Sequence, residues 1–109
     1  MIKRLYRKIK NFIWEVNFRR KHRFKSLDIF NLNHATAKFI VPRLKLFRER
    51  TYSYPMGLTP EKWKVILDDM IFALEFEINQ WDKEYTDKDF KRIQKGFKLF
   101  GKYFRDLWI

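Results

Sequence analysis

Two histidines, His22 and His34, are the side chains best suited to move protons near neutral pH. Neither has a serine or a carboxylate at a spacing that forms a nucleophile pair or a metal site. His34 reads as a helix-surface group or a satisfied core group. Asp68 and Asp69 are adjacent, so on a helix they point about 100° apart and cannot share a proton, and they read as a solvated face. Asp82, Glu84, Asp87 and Asp89 cluster between two helical stretches and could hold a hard cation. Helix capping and loop charge explain those four better. There is no cysteine, which removes disulfides, Cys-ligated zinc and thiol nucleophiles. No Gly-rich phosphate loop, HExxH or EF-hand pattern is present. The residues point to a protein that is not an enzyme, with no cofactor and no metal.

Charge carries the stronger signal. The run FRRKHRFK, residues 18 to 25, closes a stretch of 25 residues with ten Lys and Arg against the single Glu15, which supplies +9 of the net +12. Such asymmetry calls for an anionic partner. RNA, DNA or a nucleoprotein complex fits first. Arg4, Arg7, Lys8, Arg19, Arg20, Lys21, Arg23 and Lys25 would meet phosphates, while Trp14 and Phe18 stack or anchor. An interaction with protein alone, the basic aromatic helix docking on an acidic host or phage protein, uses the same residues. An interfacial helix on anionic lipid is a third reading, and it requires the apolar stripe to leave the core. A core helix with a solvated basic face needs no partner at all.

The elements that position these residues are helices. Ile2, Leu5, Tyr6, Ile9, Phe12, Ile13 and Val16 recur at helical spacing, with no Gly or Pro in the first 25 residues. Trp14 and Phe18, four apart, lie off that stripe among basic residues. A second helix, capped by Ser26 or Asp28, runs to about Arg50 with Leu32, Thr36, Phe39, Ile40, Leu44 and Phe47 inside, kinked or broken near Pro42. TYSYPMG is a chain reversal. Thr59, Pro60 and Glu61 start a third helix, with Leu58 stapled to Trp63, whose inner face is Trp63, Ile66, Leu67, Met70, Ile71, Leu74, Ile78 and Trp81. Thr86 and Asp89 box the start of a fourth, with Tyr85 stapled to Phe90 and a stripe of Phe90, Ile93, Phe97, Phe100, Phe104 and Leu107. Gly96 and Gly101 within it permit close approach of another helix.

The expected fold is an all-α bundle of four to five helices in one domain, 1–109, made of the basic helix 1–25 and a helical core 26–109. The heptad-like last stripe could close the core or pair two copies into a homo-oligomer. No apolar run is long enough to cross a membrane. The N-terminus lacks the continuous apolar region of a secretory signal, which places the chain inside a cell. Its basic amphipathic character also resembles an organellar transit peptide, although no Ser or Thr precedes Ser26.

Phe30 to Asn33, Pro42 to Lys45, Tyr54 to Pro55, Trp63 to Met70 and Leu99 to Trp108 form a further pattern. In those terms the chain resembles a group of small tailed-phage proteins with a YP loop, a WxxILDxM helix and an LFxxYFxxLW end. The match spans most of residues 30 to 109, and the basic arm lies outside it. The resemblance implies a viral protein acting in the cytoplasm of a bacterial host, and no catalytic residues. Small phage proteins commonly redirect host machinery, so it also implies an inhibitor of host defence, with a CRISPR effector as a specific target. A basic inhibitor would engage guide RNA or its channel, because a DNA mimic should be acidic.

Overall fold

A helix can start only where something replaces its missing backbone partners, and this chain places those replacements at Thr59 and Thr86. The computed structural model describes residues 1–109. It contains α1 (Ile2–His22), α2 (Leu27–Phe30), α3 (Leu32–Arg50), α4 (Pro60–Asn79), α5 (Asp87–Tyr103) and a final 3-10 turn, Phe104–Asp106. No strand forms, so the chain is all-α. At α4, Thr59 Oγ1 accepts from the Lys62 amide at 3.2 Å, and Pro60 occupies the first turn. At α5 the capping box closes, Thr86 Oγ1 accepting from Asp89 N at 3.2 Å and Asp89 Oδ2 accepting from Thr86 N at 3.0 Å. The Tyr85 and Phe90 rings meet beside it, with centroids 6.2 Å apart.

Pro42 does not break α3, which is one continuous helix from Leu32 to Arg50. The proline removes the amide that would bond the Lys38 carbonyl, a loss worth up to about 3 kcal/mol in a helix interior. Burial of Val41 and Leu44 on either side of it offsets that cost. Arg43 also reaches back, its Nη1 donating to the Phe39 carbonyl at 2.7 Å while the guanidinium lies 3.8 Å from the Phe39 ring centroid. The interruption falls instead at Asn31, whose φ of −129° and ψ of 54° separate α2 from α3.

The chain divides into two compact units, Met1–Ala35 and Thr36–Ile109, with the division inside α3. Residues 26 to 35 thus group with α1, whereas the sequence pattern separates the basic helix from the rest after residue 25. The physical tie is Ser26. Its amide donates to Glu15 Oε2 at 3.1 Å and its hydroxyl to Glu15 Oε1, so it makes no side-chain cap on α2.

In the second unit Val41 and Leu44 of α3 pack with Trp63, Leu67, Met70, Ile71 and Leu74 of α4. Leu99, Phe100 and Tyr103 cover that cluster from α5, and the Trp63 and Tyr103 rings meet edge to face at 5.5 Å. The approach of α5 to α4 is set at Gly96. A Cβ there would overlap the Asp69 carbonyl and lie 2.6 Å from Ala73 Cβ. Gly101 has nothing within 4 Å, so the close approach expected at both glycines occurs at one.

Several faces are rotated from those the periodicity predicts. Leu32, Thr36 and Phe39 are exposed, and Ala37 and Val41 take the buried side of α3. Small side chains fit there, and Phe39 sits outside under Arg43. In α5 the seat of Gly96 fixes the rotation, which buries Ile93 and leaves Phe90 and Phe97 at the rim. Phe104 lies past the helix end, as does Trp81 beyond α4, and both are exposed because helical spacing no longer applies to them. Asp69 is buried rather than solvated, held by Arg92 Nε at 2.9 Å and Lys95 Nζ at 3.7 Å.

The glycines give opposite predictions. Gly96→Ala should lower unfolding free energy by about 2 kcal/mol through overpacking, whereas Gly101→Ala should raise it by about 0.5 to 1 kcal/mol through helix propensity alone. Urea denaturation of the two variants measures both signs.

Candidate anionic-surface helix

α1 begins with cations where helix electrostatics disfavours them. Its first turn holds Lys3 and Arg4 and no acid, beside the positive end of the helix dipole. Its last turn holds Arg19, Arg20, Lys21 and His22, where positive charge is favourable. The C-terminal half of the run therefore has a local structural account, and the N-terminal cations do not. Among the ten Lys and Arg of residues 1 to 25, Arg19 alone is ion-paired, its Nε 3.1 Å from Glu15 Oε2. Arg4, Arg7, Lys8, Arg20, Lys21, Arg23 and Lys25 are exposed and form no salt bridge.

The helix ends at Arg23, in the left-handed region at φ 66°, where its amide donates to the Arg19 carbonyl at 2.7 Å. A residue with a Cβ pays about 1 kcal/mol for that conformation and glycine does not. The reversal carries Phe24 back against α1. Phe18 then lies 5.4 Å from Trp14, 4.5 Å from His22 and 5.7 Å from Phe24, ring centre to centre. Phe18 is half-buried in this cluster, so its ring is largely engaged within the unit. Trp14 keeps 55% of its surface exposed and is the more open of the two. A shallow hollow of about 620 Å³ follows the turn, lined by Arg19, Arg23, Phe24, Lys25 and Asp28.

The apolar stripe of α1 contributes nothing to the buried core, because no residue of this helix is buried. Exposure along the stripe runs from 38% at Val16 to 86% at Ile2. Periodicity alone reads such a stripe as core-facing, since it reports amphipathicity and not what covers the face. The sequence reading sets this stripe against the core, and the structure leaves it exposed.

The other chemistry-bearing residues are accounted for locally. Asp68 receives Arg48, whose Nη2 donates to Oδ2 at 3.1 Å while Nε sits 2.5 Å from Oδ1 without pointing along that line. Asp89 is spent in the capping box, and no three His, Asp or Glu side chains gather where a metal ion could bind. A hollow of about 360 Å³ in the second unit is lined by Phe39, Ile40, Leu44, Phe47 and Phe104, with Arg43 as its charged group. No family model, curated protein or solved structure matches the chain. No helix is long and apolar enough to cross a membrane.

Hydrogen bonds from the Ser26 hydroxyl and amide, with Arg19 beside them, hold the Glu15 carboxyl below the usual range. A depressed folded pKa makes its contribution present above the unfolded value of about 4.3 and lost as pH falls through the folded one. Ser26→Ala should return the Glu15 carboxyl toward the ordinary value, read as an upward shift in its carbon NMR titration. The residue 26 amide still donates in this variant, so an unchanged midpoint would show that the Ser26 hydroxyl does not hold the carboxylate.

Proposed function

We propose that the protein is a non-enzymatic binding module that α1 attaches to a phosphate-bearing polyanion. The unpaired cations along α1 carry this reading, above all Lys3 and Arg4, which the helix itself has no reason to hold. The binding residues are Arg4, Arg7, Lys8, Arg19, Arg20, Lys21, Arg23 and Lys25, with Trp14 as the open anchor and Phe18 as its support.

Nucleic acid or a nucleoprotein complex is one source of such phosphates. Trp14 favours it, because an exposed indole among cations can stack on an unpaired base. In the phage setting implied by the sequence pattern, that partner is a host defence complex in the bacterial cytoplasm, a CRISPR effector among them, and the protein is its inhibitor. Lipid head groups are the second source. An acidic protein offers carboxylates in place of phosphates and would bind α1 without either.

Replacing Arg4, Arg7, Lys8 and Arg20 by Glu should weaken binding to a defined RNA, a DNA duplex or anionic vesicles by roughly tenfold or more. It should also reduce the slope of log affinity against log salt for nucleic acid by about three. A titration of both proteins from low to moderate salt gives the two quantities. Unchanged affinity and slope would overturn the assignment of α1 as the polyanion surface.

A further inference from the structure

Charge accounts for one side of α1 and leaves the other in water. At about 100° per residue, Ile2, Leu5, Tyr6, Ile9, Phe12, Ile13 and Val16 fall within an arc of about 120°. All seven are exposed. Lys8 and Arg19 border one edge of this arc, and Lys3 and Lys10 border the other. Phe18 lies half a turn from the centre of the stripe, so the Phe18, His22 and Phe24 contacts and the Ser26 tie to Glu15 all sit on the opposite side. The chain leaving α1 is thereby fastened away from the stripe, and the stripe stays open.

The partner has to cover a narrow apolar arc and meet positive charge along both of its edges. Nucleic acid meets the charge and leaves the stripe wet. A second copy packed stripe to stripe covers the apolar arc and sets cationic edges against cationic edges, at the positions where coiled coils place opposite charges. An anionic lipid surface does both, with acyl chains under the stripe and phosphates beside the Lys and Arg side chains, whose stems can reach up to the head groups. The stripe runs for about 21 Å at 1.5 Å per residue, short of the roughly 30 Å hydrocarbon thickness. Its arc covers a third of the helix. Such a helix lies in the interface and does not cross it.

We infer that α1 is an interfacial helix that binds the surface of an anionic lipid bilayer, its stripe from Ile2 to Val16 facing the acyl chains. The inference rests on the polyanion reading of the preceding section and names the source of the phosphates. Lys3, Lys8, Lys10 and Arg19, along the two edges of the stripe, lie level with the head groups, and Trp14, the Phe18 cluster, Arg4 and Arg7 face the water side of the helix. Each Lys or Arg near an anionic surface raises affinity about fivefold.

The full-length protein is tested with vesicles of phosphatidylcholine, alone and mixed with phosphatidylglycerol. The native chain has no cysteine, so Ile9→Cys and Asn11→Cys can each carry one environment-sensitive fluorophore, on the stripe and on the polar side. The expected result is binding to phosphatidylglycerol vesicles roughly tenfold or more tighter than to phosphatidylcholine. The probe at position 9 shifts to the blue and is quenched from the acyl phase, and the probe at position 11 is not. The double variant Ile9→Gln, Phe12→Gln replaces exposed apolar groups without changing the charge, keeps its circular dichroism, and loses roughly tenfold or more in vesicle affinity while its affinity for a defined RNA holds. Equal responses from the two probes, or vesicle binding that survives the stripe substitutions, would overturn the inference. RNA binding without vesicle binding overturns it too and leaves the polyanion reading standing; binding to neither overturns both.

Discussion

The contact of Gly96 with the backbone of α4 fixes most of what the second unit can do. With no side chain at that point, α5 settles against the Asp69 carbonyl and Ala73, closer than any other residue would permit. That position turns Ile93 inward and brings Tyr103 edge-on to Trp63. It also places Arg92 and Lys95 beside Asp69, where two cations compensate a carboxylate that burial would otherwise disfavour. Arg92 spreads over the Phe72 ring, 4.2 Å from its centroid, which adds a second use for the same guanidinium. The apolar core that results is drawn from α3, α4, α5 and the C-terminal turn.

None of the stripe residues of α1 belongs to that core. A helix with an uncovered apolar face has two ways to lower its free energy, to fold against its own chain or to find an outside surface. The internal contacts of the first unit form on its other face, through Phe18, Phe24 and the Glu15 to Ser26 tie. Glu15, the one acid in the first 25 residues, is spent on that tie and on Arg19. What remains outward is cationic and apolar together, the combination on which the proposed phosphate-rich interface rests.

The starts of α4 and α5 were legible because a cap is a local event, decided within four residues by Thr59 and Pro60 or by Thr86 and Asp89. Helical class and the long stripe of α4 were legible for the same reason. The buried faces of α3 and α5 were legible in part: Ile40, Leu44 and Phe47, and Ile93, Phe100 and Leu107, lie inward as their spacing predicts, whereas the exposure of Phe39 and Phe97 depends on the fit of Ala37 and Val41 and on the seat of Gly96, neither of which periodicity encodes. The burial of Asp69 was equally hidden, because its cations come from more than twenty residues away. For α1 the residues of the cationic face could be named from sequence, but the openness of the opposite face could not. An amphipathic pattern has the same form whether protein or lipid covers it.

The central claim is that the stripe of α1 is folded, apolar and uncovered by the protein itself. Methyl NMR with a soluble paramagnetic agent, in the absence of lipid, reads this directly by comparing Leu5, Ile9 and Ile13 with the buried Leu67, Ile71 and Ile93. Strong relaxation of the three α1 methyls beside weak relaxation of the three core methyls, with helical chemical shifts throughout residues 2 to 22, is the predicted result. Methyls of Ile9 and Ile13 as shielded as that of Leu67 would contradict the account, because the stripe would then already have its partner within the protein.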